Sequence, residues 1–301
     1  GPEPMYGTIA GMQTDMNSPS AVAAAVSARA PYPKRPFSGR ELFFSVGSLL
    51  VIAILIQTFY ATVVRPRAEV LLAQSTQVNP ETGVPDRSNL RSVWVVIRDV
   101  EQEVAFILAI WSLTLIVQQA RALQRNRRLL EKVYVDVDEN HVVLPEDARA
   151  YARPLERLPF EEQEMFLPRA LMVALNRFGA TKSVQDAAEA VIDECEYESS
   201  RLDAQLSMVR FTAWAIPAIG FVGTVRGIGH ALTEAQRALH GDISGVTLGL
   251  GVTFNATLTA LSLSIVVMFF LHQLQQAQDR LVLDTRTYID RGLIRHMRVY
   301  K

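Results

Sequence analysis

Two short rows of residues have the types and spacing to do chemistry. Gly220, Gly223, Thr224 and Gly227 recur at steps of three and four within WAIPAIGFVGTVRGIGHAL, Trp214 to Leu232. Ala256, Ala260 and Ser264 form a row at steps of four, with Thr253 and Thr257 beside it, within VTFNATLTALSLSIVVMFFLHQ, Val252 to Gln273. Steps of three and four put residues on one face of a helix. Small residues on that face let two backbones approach closely, and Gly223-xxx-Gly227 is the small-xxx-small pattern that does so in membranes. Packing alone accounts for the glycines and alanines. The hydroxyls ask for more: a threonine can satisfy itself on the carbonyl three or four residues back, yet Thr224 and Thr257 each lie beside a glycine- or alanine-lined stripe, as a polar path between apolar helices requires. Pro217 removes a backbone hydrogen bond near the start of the first segment and bends it. Arg226 is the one charge in either segment. Two readings of it stand side by side: an anchor whose stem snorkels to the interface, or an electrostatic gate on a path.

The most informative feature is an absence. No Asp or Glu lies within Phe44–Val64, Val104–Val117, Phe211–Leu232 or Val252–Leu271. An ion path through a membrane generally needs a titratable group near its middle. If this chain conducts ions, the carboxylate comes from a partner.

The elements that must position these rows are membrane helices. Ile243 to Leu271 holds no Asp, Glu, Lys or Arg, which is long enough for a span at about 20 residues. Phe44 to Val64 is a first uncharged span preceded by Arg29, Lys34, Arg35 and Arg40. Val104 to Val117 forms a second, shorter one. Extending it back to Trp94 admits Arg98, Asp99, Glu101 and Glu103, so its outer part reads as an amphipathic helix. Between these two, residues 65–93 read as a solvated loop around the turn signal Asn79-Pro80. Arg121, Arg125, Arg127, Arg128 and Lys132 follow the second span, and the positive-inside rule makes that end cytoplasmic. Four spans then place both termini inside, in agreement with the basic C-terminus, although 65–98 carries five arginines of its own. In the polar region 129–208, Val133–Val137 alternates like a short strand, while 160–176 and 183–208 read as amphipathic helices. The second of these runs on into span three, since nothing between Ser183 and Ala215 breaks a helix. Gly229 to Gly251 is a polar outer turn, and 272–296 a helix continuing span four.

Bulk properties exclude several classes. A net charge of −1 argues against a strongly basic nucleic-acid binder. Cys195 is the only cysteine, so no intrachain disulfide or thiolate metal cluster is available. Asp193, Glu194, Glu196 and Glu198 surround it, which raises a thiol's pKa, and it reads as inert. His230 reads as interfacial and His272 as lying at the cytoplasmic end, and neither has a metal-ligand partner nearby. Residues 1–36 have no apolar core of signal-peptide length; Gly1-Pro2 reads as a protease-cleavage remnant with Met5 a native start, and the Ala-, Ser- and Pro-rich stretch after it as disordered. The spans hold no paired carboxylates, no His-Glu-x-x-His and no Gly-x-Ser-x-Gly, so the chain does not read as an enzyme. Internal repeats of the kind secondary transporters show are not evident.

Pro217-Ala-Ile-Gly220-Phe-Val-Gly223-Thr224-Val-Arg226-Gly227-Ile228 resembles the third-helix signature of the MotA/TolQ/ExbB proton-channel family, and Phe254-Asn-Ala256-Thr257-Leu-Thr-Ala260-Leu261 is similar to its companion. The resemblance implies an all-α membrane protein of four transmembrane helices with long helical cytoplasmic extensions, assembled as a homopentameric ring in the bacterial inner membrane. It divides the chain into a cytoplasmic N-terminus (1–40), a first transmembrane hairpin with a periplasmic loop (41–119) and a cytoplasmic domain (120–208). The pore-lining third and fourth helices (209–273) and a cytoplasmic C-terminal helix (274–301) complete it. It further implies a single-span MotB/TolR/ExbD-like partner dimer inside the ring, each partner helix carrying an essential Asp. Thr224 and Thr257 become pore-lining hydroxyls near that acid. Pro217, Gly220, Gly223, Gly227, Ala256, Ala260 and Ser264 become packing residues of the pore. Arg226 departs from the apolar or aromatic residue common at its position. The transported ion is a proton or sodium, and no cofactor or nucleic acid is implied. The competing class is an oligomeric membrane scaffold or signalling anchor, which the small-residue stripes suit equally well.

Overall fold

The computed structural model describes residues 39–75, 92–132, 134, 142–233 and 244–299. Two compact units are distinguished, Gly1–Val46 and Gly47–Lys301; the first is described only in the opening turns of helix α1. In chain order the described elements are α1 (Gly39–Phe59), a π-turn (Tyr60–Val64), α2 (Arg65–Ser75), α3 (Val93–Val96), α4 (Val100–Leu129), α5 (Ala148–Glu156) and α6 (Phe160–Gln163). Then come α7 (Phe166–Thr181), α8 (Val184–Gln205), α9 (Ser207–Thr233), α10 (Ser244–Gly292) and a 3-10 turn (Ile294–His296). Among the described residues there is no strand, only an isolated parallel bridge between Val143 and Met297. The strand expected at Val133–Val137, apart from Tyr134, and the turn at Asn79-Pro80 lie outside the described residues. Four helical stretches are long and apolar enough to cross a membrane: Phe43–Gln74, Val100–Leu129, Val184–Thr233 and Gly249–His296.

The first span does not end at Val64. It widens into a π-turn, in which the Arg65 N–H bonds to the Tyr60 carbonyl, and continues as α2 to Ser75, so residues 65–75 are helix where a solvated loop is expected. Pro66 explains the device. Its ring clashes with the carbonyl four residues back and it lacks the N–H that carbonyl needs, and a π-turn is the usual way a helix absorbs such a defect without ending. Tyr60, which tilts against Phe106 at 6.5 Å, and Val64 are buried, whereas Leu50, Val51, Ile54, Leu55 and Phe59 are all exposed.

The second span is longer than its apolar stretch and starts later than Trp94. Asp99 closes a capping box with Gln102 at the head of α4, the arrangement that satisfies otherwise orphaned first-turn amides. Ile97 and Arg98 therefore interrupt the helix, and Trp94 belongs to the separate α3.

Beyond the spans lies a polar half built from α5 to α8 and the far end of α10. One helix expected over 160–176 is two, because Pro168 sits in the first turn of α7, where its missing N–H costs nothing, whereas a helix continued from α6 would drive its ring into the Glu164 carbonyl. Lys182 ends α7 in the left-handed region at φ 53°, and the Ser183 hydroxyl accepts from the Asp186 N–H to start α8. Arg169 on α7 bonds Glu194 at 2.5 Å and Glu198 at 2.7 Å on α8. Glu198 also receives Arg201 at 3.1 Å and is 3% exposed. At the far end Val143 N–H donates to the His296 carbonyl (2.9 Å) and Arg298 N–H to the Val143 carbonyl (3.1 Å), closing the chain's end onto the core.

Two long helical tracks connect this half to the spans. On α10, Ala260, Ser264, Val267, Leu271, Leu274, Gln278, Leu281 and Thr285 are all buried, an alternation of steps of four and three that is the seam of a coiled coil. At 49 residues and about 1.5 Å per residue, α10 reaches about 74 Å, more than twice the roughly 30 Å hydrocarbon core. The expected continuation of span four beyond the membrane is thus present. The α8–α9 track is nearly continuous, with one break at Leu206 (φ −88°, ψ −3°). Its inward positions Glu198, Leu202 and Leu206 follow two successive steps of four, a stutter that locally unwinds a heptad seam. Arg210 bridges the break, holding both Asp203 carboxylate oxygens at 2.5 and 2.9 Å.

Cys195 lies in the buried part of α8. Burial above all pushes its thiol up to about 11; Glu194 adds to this and Arg286 opposes it. The inert reading therefore rests first on desolvation, with one neighbouring carboxylate contributing. Because the thiolate is the nucleophile, alkylation by iodoacetamide at pH 8 is expected to be slow in the folded protein and to accelerate as pH rises toward 11. In denaturant the same thiol should react at the rate of a model cysteine, and equal rates at pH 8 with and without denaturant would contradict the burial.

Candidate functional site

The two rows meet. α9 and α10 pack along the small-residue faces, and the contact is closest at the glycines. A Cβ on Gly220 would stand 2.5 Å from the Ala260 Cβ and 3.2 Å from the Ala256 carbonyl oxygen. One on Gly223 would stand 2.9 Å from the Ala256 Cβ, and one on Gly227 would collide with the Thr253 side chain. No real side chain tolerates such distances without the backbones separating, so these glycines are what allow the approach. Ala256, Ala260, Thr253 and Ser264 are all buried in the contact. Ser264 crosses it, its hydroxyl donating to the Ala213 carbonyl at 2.9 Å. Pro217 sits half-buried inside α9, and the helix passes through it without ending.

Thr224 and Thr257 are brought together. Their hydroxyls are hydrogen-bonded to one another, and both reach the Gly220 carbonyl, Thr224 at 3.2 Å and Thr257 at 3.1 Å. The pair is half-buried. Two hydroxyls and a carbonyl converge where two uncharged helices touch, and glycine at 220 leaves that carbonyl uncovered by any side chain of its own residue. Such a cluster supplies donors and acceptors to a proton carrier, a small cation or a partner carboxyl without holding a charge itself. A second hydroxyl pair, Ser112 on α4 and Thr212 on α9, is fully buried at 2.5 Å and ties the second span to the third.

Arg226 is not a lone charge. It reaches out of the α9–α10 pair to Glu101 in the first turn of α4, Nη2 to Oε2 at 2.8 Å. Glu101 also lies over Gly223, its Cγ 3.1 Å from where a Cβ would be. Glu103, two residues on, turns to the other side of α4 and takes Arg65 at 2.7 Å while being 2% exposed. A carboxylate thus stands at the Arg226 end of the helix pair, supplied by α4. The sequence shows Glu101 only as one of several charges preceding a span, and the pairing of residues 125 positions apart leaves no local signal. His272 lines a cavity of about 320 Å³ between α8 and α10 with Asp203 and Asp279. Among the described residues no group of three or more His, Cys, Asp or Glu is placed to hold a metal ion.

Four membrane-length helices, two of them pressed together through glycines and alanines around a hydroxyl cluster, define a multi-pass helical membrane protein. Residues 162–287, from α6 to near the end of α10, match the MotA/TolQ/ExbB proton channel family. The match takes in both motifs and also the polar half between Glu162 and Gln205, which the motifs alone do not reach. No curated protein and no solved structure matches the chain.

Proposed function

We propose that the chain is the ring subunit of an ion-driven membrane motor. In this reading five copies surround a single-span partner dimer in the bacterial inner membrane, with both termini and the polar half cytoplasmic. The observation that carries it is the Thr224–Thr257 pair over the Gly220 carbonyl, inside a family segment whose spans hold no acid of their own. α9 and α10 also keep Phe221, Val222, Val225, Leu258, Leu261 and Ile265 exposed, apolar surface that neighbouring copies and the partner helices would cover.

The mechanism follows from the cost of moving charge. A proton, or sodium, enters at the Arg226–Glu101 end and neutralises a carboxylate on the partner helix. Carrying an ionised carboxylate past the apolar faces of α9 and α10 costs several kcal/mol on an order-of-magnitude scale, and neutralisation removes that cost. The partner helix then advances one step and the ion leaves beside Thr257. A potential of about 100 mV supplies roughly 2.3 kcal/mol per charge, enough to bias each step. The contact between Arg226 and Glu101 at 2.8 Å supports a role for Arg226 at the entrance of this path.

The test is Thr257→Val, isosteric and without the hydroxyl. Assembly with wild-type yield and ion-driven output reduced at least tenfold is the expected result, measured as acidification or sodium uptake in vesicles holding ring and partner. Unchanged flux would remove Thr257 from the path. A scaffold with no ion transport would show no flux for either protein.

A further inference from the structure

Among the described residues, two charged faces, one on α4 and one on α8, are left without partners. On α4, Arg121, Arg125 and Arg128 follow the last apolar turn at steps of four and three, all exposed, and none bonds or pairs with another described residue. On α8, Glu189, Asp193 and Glu196 stand at the same steps, equally exposed and unpaired. The inward acids of that helix, Glu194 and Glu198, are taken by Arg169, so the outward ones are surplus to the fold.

The faces match in spacing, in direction and in level. α4 runs away from the spans and α8 runs back toward them, so Arg125 and Arg128 meet Glu196 and Asp193 in turn, a step of three against a step of three. α10 serves as a common ruler. Just past the end of α4, the Lys132 carbonyl accepts from the Tyr288 hydroxyl at 3.2 Å. Ser199 and Asp203 of α8 share a cavity with His272 to Val282 of α10. At about 1.5 Å per residue, Arg125 and Glu196 then both fall near the level of Leu281, within about one helical turn.

These faces do not meet within one chain. We propose that the arginine face of α4 docks on the acidic face of α8 in a second copy. The contact joins two different surfaces, and such a heterologous contact closes into a ring when it carries no rise, which faces at one level provide. The inference rests on the ring assembly proposed above and names the surfaces that set its rotational register. Exposed ion pairs contribute little affinity one by one; opposed stripes act by excluding wrong registers, where like charges would be juxtaposed. Anionic lipid headgroups are another occupant for the arginines, but they leave the acidic face unanswered.

The test uses the full chain in lipid nanodiscs, sized by native mass spectrometry. Arg125→Glu with Arg128→Glu should lower the ring fraction by roughly tenfold, as should Asp193→Arg with Glu196→Arg, and the four together should restore it. In a Cys195→Ala background, Arg125→Cys with Glu196→Cys should form disulfide-linked multimers. A ring that persists in both double variants, or stays lost in the quadruple one, overturns the docking while leaving the ring reading intact. Loss of bound anionic lipid from an unchanged ring on reversing the arginines overturns it in favour of a lipid surface. A wild-type chain that is monomeric under these conditions overturns the ring reading itself.

Discussion

Replacing Gly220 with valine is expected to abolish the α9–α10 contact. The first added carbon meets the Ala260 Cβ at 2.5 Å and backbone atoms of Ala256 and Thr257 at 3.2 and 3.3 Å. Backbone cannot step aside as a flexible side chain can, so the helices must separate. Overpacking of a close contact costs about 1–3 kcal/mol, occasionally more, and here separation also parts Thr224 from Thr257 and both from the carbonyl they share. The expected result is a large loss of thermal stability in detergent together with loss of ion-driven output. Gly229, which has open space around the corresponding position, provides the control: Gly229→Ala should be close to neutral. Equal melting temperatures for the two variants would show that α9 and α10 do not approach as described.

Arg169→Met is expected to be the most damaging single change in the polar half. Its guanidinium holds two carboxylates at once, and the Glu194 and Glu198 bonds hold its own pKa above the usual arginine value against the opposing effect of burial. Removing one partner of a buried pair strands the other, at about 3–5 kcal/mol. Arg201 remains 3.1 Å from Glu198, so about 3 kcal/mol is the expected loss, read by denaturant or thermal unfolding. Because the cost lies in the stranded charge, Arg169→Met combined with Glu198→Gln should recover much of it. A double variant no more stable than the single one would assign the loss to packing of the arginine stem, or to its position 5.8 Å over the Tyr197 ring, and not to charge.

Hydropathy and periodicity are local, and what they determine here is substantial. The apolar runs at Phe44–Val64 and Val252–Leu271 need no tertiary information to be read as helices, because an unpaired backbone is excluded from lipid. The glycine and alanine rows also name the residues that touch, since small residues at helical spacing let two membrane helices approach closely. Helix ends were less legible. The π-turn before Pro66, the capping box at Asp99 and the break at Leu206 each turn on how a backbone group is satisfied, which depends on neighbours that a hydropathy profile does not contain.

The sequence by itself therefore determined that the chain carries membrane-length helices and that the small residues from Gly220 to Gly227 and from Thr253 to Ser264 make close faces, both of which follow from composition and spacing along single helices. Only the tertiary structure decided the charge partners. Arg226 with Glu101, Arg65 with Glu103 and Arg169 with Glu194 and Glu198 join helices far apart in the chain. An apolar stripe predicts that a helix will be buried, because burial depends on area removed from water whatever the neighbour. An ion pair needs one particular atom within hydrogen-bond reach, and that is settled by packing alone.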